Sequence, residues 1–239
     1  MSQGPLGIRF GSRPALTPEA GALARIDVDV ENAGSVGWGD GIHLAYHWLD
    51  SRDNPIVWDG VRTPAPRLAP GERASVALAV RAPIPPGPYR LALDAVAENR
   101  AWFSELGSEM LRIDLDVTER RGEPTVTLPA WVEATPEWTE HVRTAHAEGY
   151  AVVAGSIDWE GGLLHRRPRA LEPYTPGGGR SPAFGAPLIC PSVLAGSVEL
   201  EPLGDVAGLP AFAAPRDEPW IYDGRAVLRA RPRSGRRPT

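Results

Sequence analysis

The sequence contains no lysine: all 25 of its basic residues are arginine. Arginine stays protonated at any useful pH, so it cannot serve as a Schiff-base nucleophile or a lysine-type general base. A Walker P-loop, a pyridoxal-phosphate lysine and the lysine of a kinase β3 strand are therefore excluded. Cysteine is almost as scarce. Cys190 stands alone, which rules out an intramolecular disulfide and a multi-cysteine zinc site. No apolar run approaches the roughly 20 residues that span a bilayer. The start, MSQGPLGIRF, lacks a basic stretch followed by an apolar one, so no signal peptide is read and a soluble, cytoplasmic protein is expected. No GxSxG elbow occurs, because AGSID and AGSVE fail at the second glycine. The five histidines show no zinc-type spacing. His43 and His47 share a strand face but lie roughly 13 Å apart at the usual rise. His141 and His146 diverge by about 140° around a helix. No motif implies a metal or another cofactor. The net charge of −5 gives no general attraction for nucleic acid.

What is present is turn chemistry and period-two alternation. Proline and glycine number 26 each with no fixed repeat, as suits many short strands joined by turns. Ala24, Ile26, Val28 and Val30 alternate with Arg25, Asp27 and Asp29. Similar runs follow at Val76 to Val80, Tyr89 to Ala95 and Leu111 to Val117. Strict alternation marks a strand with one wet face and one buried face. With HLAYHWLD at 43–50 and PIVW at 55–58, six or seven strands are expected. Their separators are ENAGSVGWGDG, DSRDNP, LAPGE and PIPPGP. That spacing predicts an antiparallel β-sandwich over 1–118.

The order Val30–Asn32–Gly34, Trp38, Leu44–Tyr46–Trp48, Leu68 to Glu72, Ala82–Pro83, Pro85 to Leu91 and Trp102–Phe103 carries a resemblance. It is similar to bacterial immunoglobulin-like domains of the four-tryptophan type. It departs from their pattern between Leu91 and Ala95, where a tryptophan is often found. The resemblance covers less than half of the chain. It implies an immunoglobulin-like sandwich of the kind attached to, or encoded near, glycosyltransferases and methyltransferases of surface-sugar assembly in actinobacteria and their relatives. A carbohydrate or a glycosyltransferase-type enzyme is the partner it implies.

Residues 119–127, ERRGEPTVT, read as a linker. The region 128–228 reads as a small, loop-rich α+β unit. Thr135 is a good N-cap, Pro136 suits the first helical position and Glu137 favours the positive end of the helix dipole. Trp138, Val142 and Ala145 recur at helical spacing, and Gly149 is placed to end the helix. YAVVAGSI then reads as a buried strand. Residues 158–219 look mostly loop-like, with apolar runs at Leu188–Cys190 and Ser192–Leu194, and a last strand is expected at Arg225 to Leu228. GYAVVAGSI, PGGGR, PLICPSVL, GLPAF and EPWIYDGR resemble uncharacterised actinobacterial regions that lie beside such sandwiches. Residues 229–239, rich in arginine, read as a disordered tail.

Two sets of residues are candidates for function. Sugars stack their apolar C–H faces on aromatic rings, so Tyr46, Trp58 and Trp102 are the expected ligand contacts, with Asp50, Asp59 and Asn99 able to meet hydroxyls. The same rings, Trp48 above all, equally suit the sandwich core. In the second half Asp158, Glu160, His165 and Asp223 are the weak candidates for catalysis. Arg180 closes the glycine-rich TPGGGR, which could cradle a phosphate or simply turn. Paired carboxylates serve glycosidases only at set distances, which a sequence does not supply. Cys190, between Ile189 and Pro191, reads as a buried thiol. A non-catalytic accessory or binding protein is the leading expectation. A sugar-acting or sugar-nucleotide-acting enzyme with its site in the second half is the alternative, and a purely structural scaffold is the third.

Overall fold

The computed structural model describes residues 5–11, 13–161 and 166–232. The chain divides into two compact units, 1–118 and 119–239. It is mainly β.

The first unit is an antiparallel sandwich of nine strands among the described residues: β1 (Ile8–Phe10), β2 (Leu23–Asn32), β3 (Ile42–Leu49), β4 (Pro55–Val57), β5 (Thr63–Pro64), β6 (Arg73–Arg81), β7 (Gly87–Ala97), β8 (Ala101–Trp102) and β9 (Leu111–Val117). One sheet runs β1-β2-β6. The other runs β4-β3-β7-β8, with β5 on β3 and β9 on β7. Apolar positions of β2 and β6 (Ile26, Val28, Val30, Leu78, Val80) share one core with Leu44, Tyr46, Trp48, Leu91 and Leu93 of the facing sheet. The Trp48 indole also donates to the Arg81 carbonyl at 2.8 Å, so the buried ring loses no hydrogen bond.

The motif residues of this half have structural work. Asn32 is fully buried, and its amide donates to the carbonyls of Val36 and Leu68 at 2.9 Å each, pinning two loops. Gly34 passes so close to Pro5 that a Cβ would stand 2.5 Å from its carbonyl oxygen. Tyr89 donates back to Pro85 at 2.8 Å and so closes the PPGPY turn.

One expectation is corrected here. Strict alternation predicts one wet face for every strand, yet β3 and the second half of β7 are buried on both faces. Their outward residues are Ala45, His47, Ala92 and Asp94, and neighbouring loops cover them.

The second unit contains β10 (Pro124–Thr125), β11 (Val132–Ala134), α1 (Pro136–Glu148), β12 (Val152–Trp159), a 3₁₀ turn at Arg169–Tyr174, β13 (Arg180–Ser181), β14 (Leu188–Ile189), β15 (Ser192–Leu194), β16 (Pro202–Val206), β17 (Leu209–Phe212) and β18 (Trp220–Ala230). The main sheet runs β10-β15-β12-β18-β11, with β13 on β18, and a smaller sheet runs β14-β17-β16. The helix begins and ends as its sequence predicts. The Thr135 hydroxyl accepts from the Trp138 amide at 3.1 Å, and Gly149 adopts φ +126° as its amide bonds back to the last turn. Trp138, Val142 and Ala145 are buried, and so is His146.

Four further expectations change. The last strand is longer than Arg225 to Leu228, running from Trp220 to Ala230 parallel to β12. Residues 224–226 bulge out of it. Gly155 faces that bulge, where a Cβ would stand 2.0 Å from the Ala226 carbonyl oxygen. Part of the expected linker is an edge strand: Pro124–Thr125 pairs with β15. Residues 202–212, expected as loop, form a hairpin turned by Ala207 and Gly208, both at positive φ. An alanine in the first left-handed position is a poor turn signal, which is why the pattern hides it. Of the expected tail, Arg229 lies inside β18 and pairs with Glu160 at 2.8 Å, while 233–239 lie outside the described residues.

Candidate functional site: an aromatic platform over a buried histidine

The cover on β3 and β7 is itself the candidate site. In the β3–β7 register Ala45 faces Asp94 and His47 faces Ala92, so His47 and Asp94 are diagonal neighbours on the outer face. Their side chains are 0% and 1% exposed, and His47 Nε2 lies 3.7 Å from Asp94 Oδ2. The His47 Nδ1–H donates to the Trp58 carbonyl, which can only accept and therefore holds a proton on that nitrogen. Asp94 accepts from the Ser104 hydroxyl at 2.5 Å, the Ser104 amide at 3.2 Å and the Ala95 amide at 2.7 Å. The pair thus grips two loops, one through Trp58 and one through Ser104.

Trp58 rides on the first loop, and Trp102 ends β8 just before the second. Trp58 stacks on the His47 imidazole, with centroids 4.1 Å apart and planes at 18°. Trp102 meets the same ring edge-on at 4.6 Å, and the two indoles stand at 70° to each other, 6.3 Å apart. One face of Trp58 is taken by His47, yet the residue remains 48% exposed. Gly60 helps to place it. A Cβ there would fall 2.4 Å from the buried Tyr46 ring.

The rim is charged. Arg62 lies over Trp102, 5.6 Å from the ring centroid. It donates to both oxygens of Asp59, at 3.2 and 2.8 Å, and pairs with Glu98 through its remaining nitrogen. These hydrogen bonds, Asp59 first and then Glu98, hold the guanidinium still further above its usual value. Glu98 also reaches His43 Nδ1 at 3.2 Å.

Trp58 and Trp102 therefore come together as expected, but Tyr46 does not join them. It is 2% exposed and its hydroxyl accepts from the Arg81 amide at 2.8 Å, inside the sandwich. Period two is the reason: Tyr46 shares a face with Trp48, and His47 points the other way. Asp50 is a turn cap that accepts from the Arg52 and Asn54 amides, at 2.8 Å each, and from the Asn54 side chain. Those bonds, the Asn54 side chain first, hold its carboxyl below the usual range. His47 and Asp94 were missed. The available signal was an acid and a histidine on strand faces where their nearest same-face neighbours include Ala45 and Ala92.

The candidates of the second half are tied to one another. Asp223 is fully buried, and its carboxylate accepts from Arg180 Nε at 3.1 Å and from Arg225 Nε and Nη2 at 2.9 and 2.8 Å. Burial pushes this carboxyl up, but the hydrogen bonds and charge of Arg225, with Arg180 behind, outweigh it and hold it below the usual range. Arg180 also pairs with Glu148 at 2.6 Å. Glu160 is held by Arg229 and Arg231. Asp158 is half-buried at the end of β12, and His165 lies outside the described residues. The triple glycine is packed against backbone: Gly177 bonds to the Gly224 carbonyl, and Gly224 bonds back to Gly179. A Cβ on Gly224 would stand 2.7 Å from the Gly178 Cα. That close approach requires glycine at 224, while Gly177 of the triple stands at φ +102°. Burial pushes the Cys190 thiol up to about 12. Among the described residues no cluster of three or more His, Cys, Asp or Glu could hold a metal, and no helix is long and apolar enough to cross a membrane.

No family model and no curated protein matches this chain. Among solved structures it is similar to a β-glucosidase from Listeria innocua, 13% identical over 47% of this chain and 16% of that one, with a TM-score of 0.31. A β-glucosidase from Erythrobacter marinus is 18% identical over 46% of this chain and 15% of that one, with a TM-score of 0.29. The α2-macroglobulin of Escherichia coli is 14% identical over 62% of this chain and 10% of that one, with a TM-score of 0.26. The chain spans less than a fifth of the length of each, and likenesses at such scores carry no argument about activity.

Proposed function

We propose that this protein is a non-catalytic accessory that binds carbohydrate on the Trp58–Trp102 platform, serving glycan or glycosylated-metabolite assembly beside a glycosyltransferase-type enzyme. The observation that carries the reading is the half-exposed indole of Trp58, backed on one face by a fully buried histidine. A large exposed ring is costly to hold rigid unless something uses its free face, and here a buried pair holds it. The flat apolar face suits the C–H face of a pyranose, and Asp59, Arg62 and Glu98 at its rim suit the hydroxyls. The resemblance of the first half to sandwiches found beside glycosyltransferases agrees with this.

The test is a glycan array run with the full chain and with Trp58→Ala. Retention of a defined set of glycans by the parent, lost by at least tenfold in Trp58→Ala with melting little changed, supports the proposal. Silence across the array, or binding that Trp58→Ala leaves intact, removes it.

A further inference from the structure

The rim of the platform allows the ligand class to be narrowed, an inference that rests on the carbohydrate reading above. A site for uronic or phosphorylated sugars needs a cation with free donors, because a carboxylate or phosphate is recognised by charge-assisted hydrogen bonds. Arg62 is the guanidinium placed over the aromatic pair. Its Nε–H and one N–H of Nη2 go to Asp59 and one N–H of Nη1 to Glu98, so two carboxylates already balance its charge and only one N–H on each Nη is left over. Both acids face the guanidinium: Asp59 bonds Arg62 through both oxygens, and Glu98 pairs with Arg62 through one oxygen while its other lies 3.2 Å from His43 Nδ1. Glu105 adds a further carboxylate beside Trp102, accepting from its amide at 3.1 Å. Even with Arg100 counted in the turn before Trp102, the acids Asp59, Glu98 and Glu105 outnumber the guanidiniums at the rim, and Asp94 lies buried beneath.

We infer that the Trp58 platform takes an uncharged pyranoside and discriminates against its anionic counterpart. An unbalanced negative charge about 5 Å from a ligand carboxylate weakens binding about three- to tenfold in surroundings close to water, and less as salt rises. Neutral hydroxyls pay no such penalty. They can insert between Arg62 and its acids by accepting from the guanidinium and donating to a carboxylate at once.

The experiment uses the full chain on an array of matched pairs, each a neutral pyranoside beside the uronic acid that differs only by a C6 carboxylate, at low and high salt. Retention of the neutral member, with its uronate several-fold weaker and the gap narrowing in salt, is the expected result. The double variant Asp59→Asn/Glu98→Gln frees Arg62 and is expected to reverse the order. If it melts early, Glu98→Gln alone is expected to narrow the gap. Preferential retention of uronates by the parent, lost in Trp58→Ala, overturns this inference while leaving the carbohydrate reading in place. A folded double variant with no gain toward uronates overturns it equally. No retention of either member overturns both readings.

Discussion

Each unit withdraws one carboxylate from solvent among its described residues, and the two are held by opposite means. Asp223 is neutralised by like-sized partners: Arg225 binds it in two places, Arg180 in a third, and Glu148 balances Arg180. Asp94 instead meets the Ser104 hydroxyl, the Ser104 and Ala95 amides and a histidine edge; Ser104 lies in the turn after Trp102, and the histidine bonds the Trp58 carbonyl. A buried acid is therefore not itself the mark of a site. The mark is what its partners hold, and here one acid braces a bulge while the other braces an exposed aromatic pair.

The comparison can be broken, most forcefully at Asp223. Asp223→Ala strands two arginines beside a buried bulge and is expected to cost the second unit about 3 kcal/mol. Hydrogen exchange at β12 and β18 amides, with labelling of Cys190 as a second reporter, reads this without input from the first unit. An effect as large at β3 and β7 would show that the units are not independent. Asp94→Ala is expected to cost the first unit about 2 kcal/mol, since the Ser104 hydroxyl and the Ser104 and Ala95 amides lose their acceptor. It should also loosen the tryptophan pair, which near-ultraviolet circular dichroism reports. An unchanged tryptophan signal would show that Asp94 does not position the platform.

Acid sharpens the contrast further. Burial, aided by the Arg120 charge, holds the His146 imidazole below its usual 6.5, against the pull of its hydrogen bond to the Tyr150 carbonyl. The unfolded chain then binds the proton more readily. The second unit should keep its full stability above pH 6.5 and lose it as pH falls below that value, by at most about 1.4 kcal/mol per pH unit. His146→Gln should flatten this slope. Asp223, held below 3.8, adds its own loss only as pH falls past that value. A slope confined to pH below 4 in the parent would dismiss the histidine. Smallest of all, Trp58→Ala is expected to cost about 1 kcal/mol, because the stacking ring it removes from His47 is itself half in water. Its effect on exchange in the second unit should be nil.

Much of the first unit could be read from residue order because period two is local. Ala24 to Val30 and Leu111 to Val117 alternate cleanly, and both are strands with those faces inward. The helix was as plain, since Thr135, Pro136 and Gly149 act through their own backbone neighbourhood. The hairpin at 202–212 and the bulge at 224–226 were not, because one uses an alanine at positive φ and the other exists only opposite Gly155.

The same division runs through the candidate site. Residue order alone determined that there is no lysine or cysteine-pair chemistry, that the first half is a sandwich, and that Trp58 and Trp102 flank turns where rings can be shown to solvent. It also grouped Tyr46 with them, by residue type rather than by face. Only the tertiary structure decided which side of β3 the platform occupies. Alternation sends Tyr46 inward and His47 outward, but whether an outward histidine meets water or a loop depends on segments distant in sequence. Here Trp58, carried on the loop after β4, and Trp102, on edge strand β8, bury His47 and Asp94 and leave one indole face open. Burial of that kind is a contact between remote parts of the chain, and no local pattern encodes it.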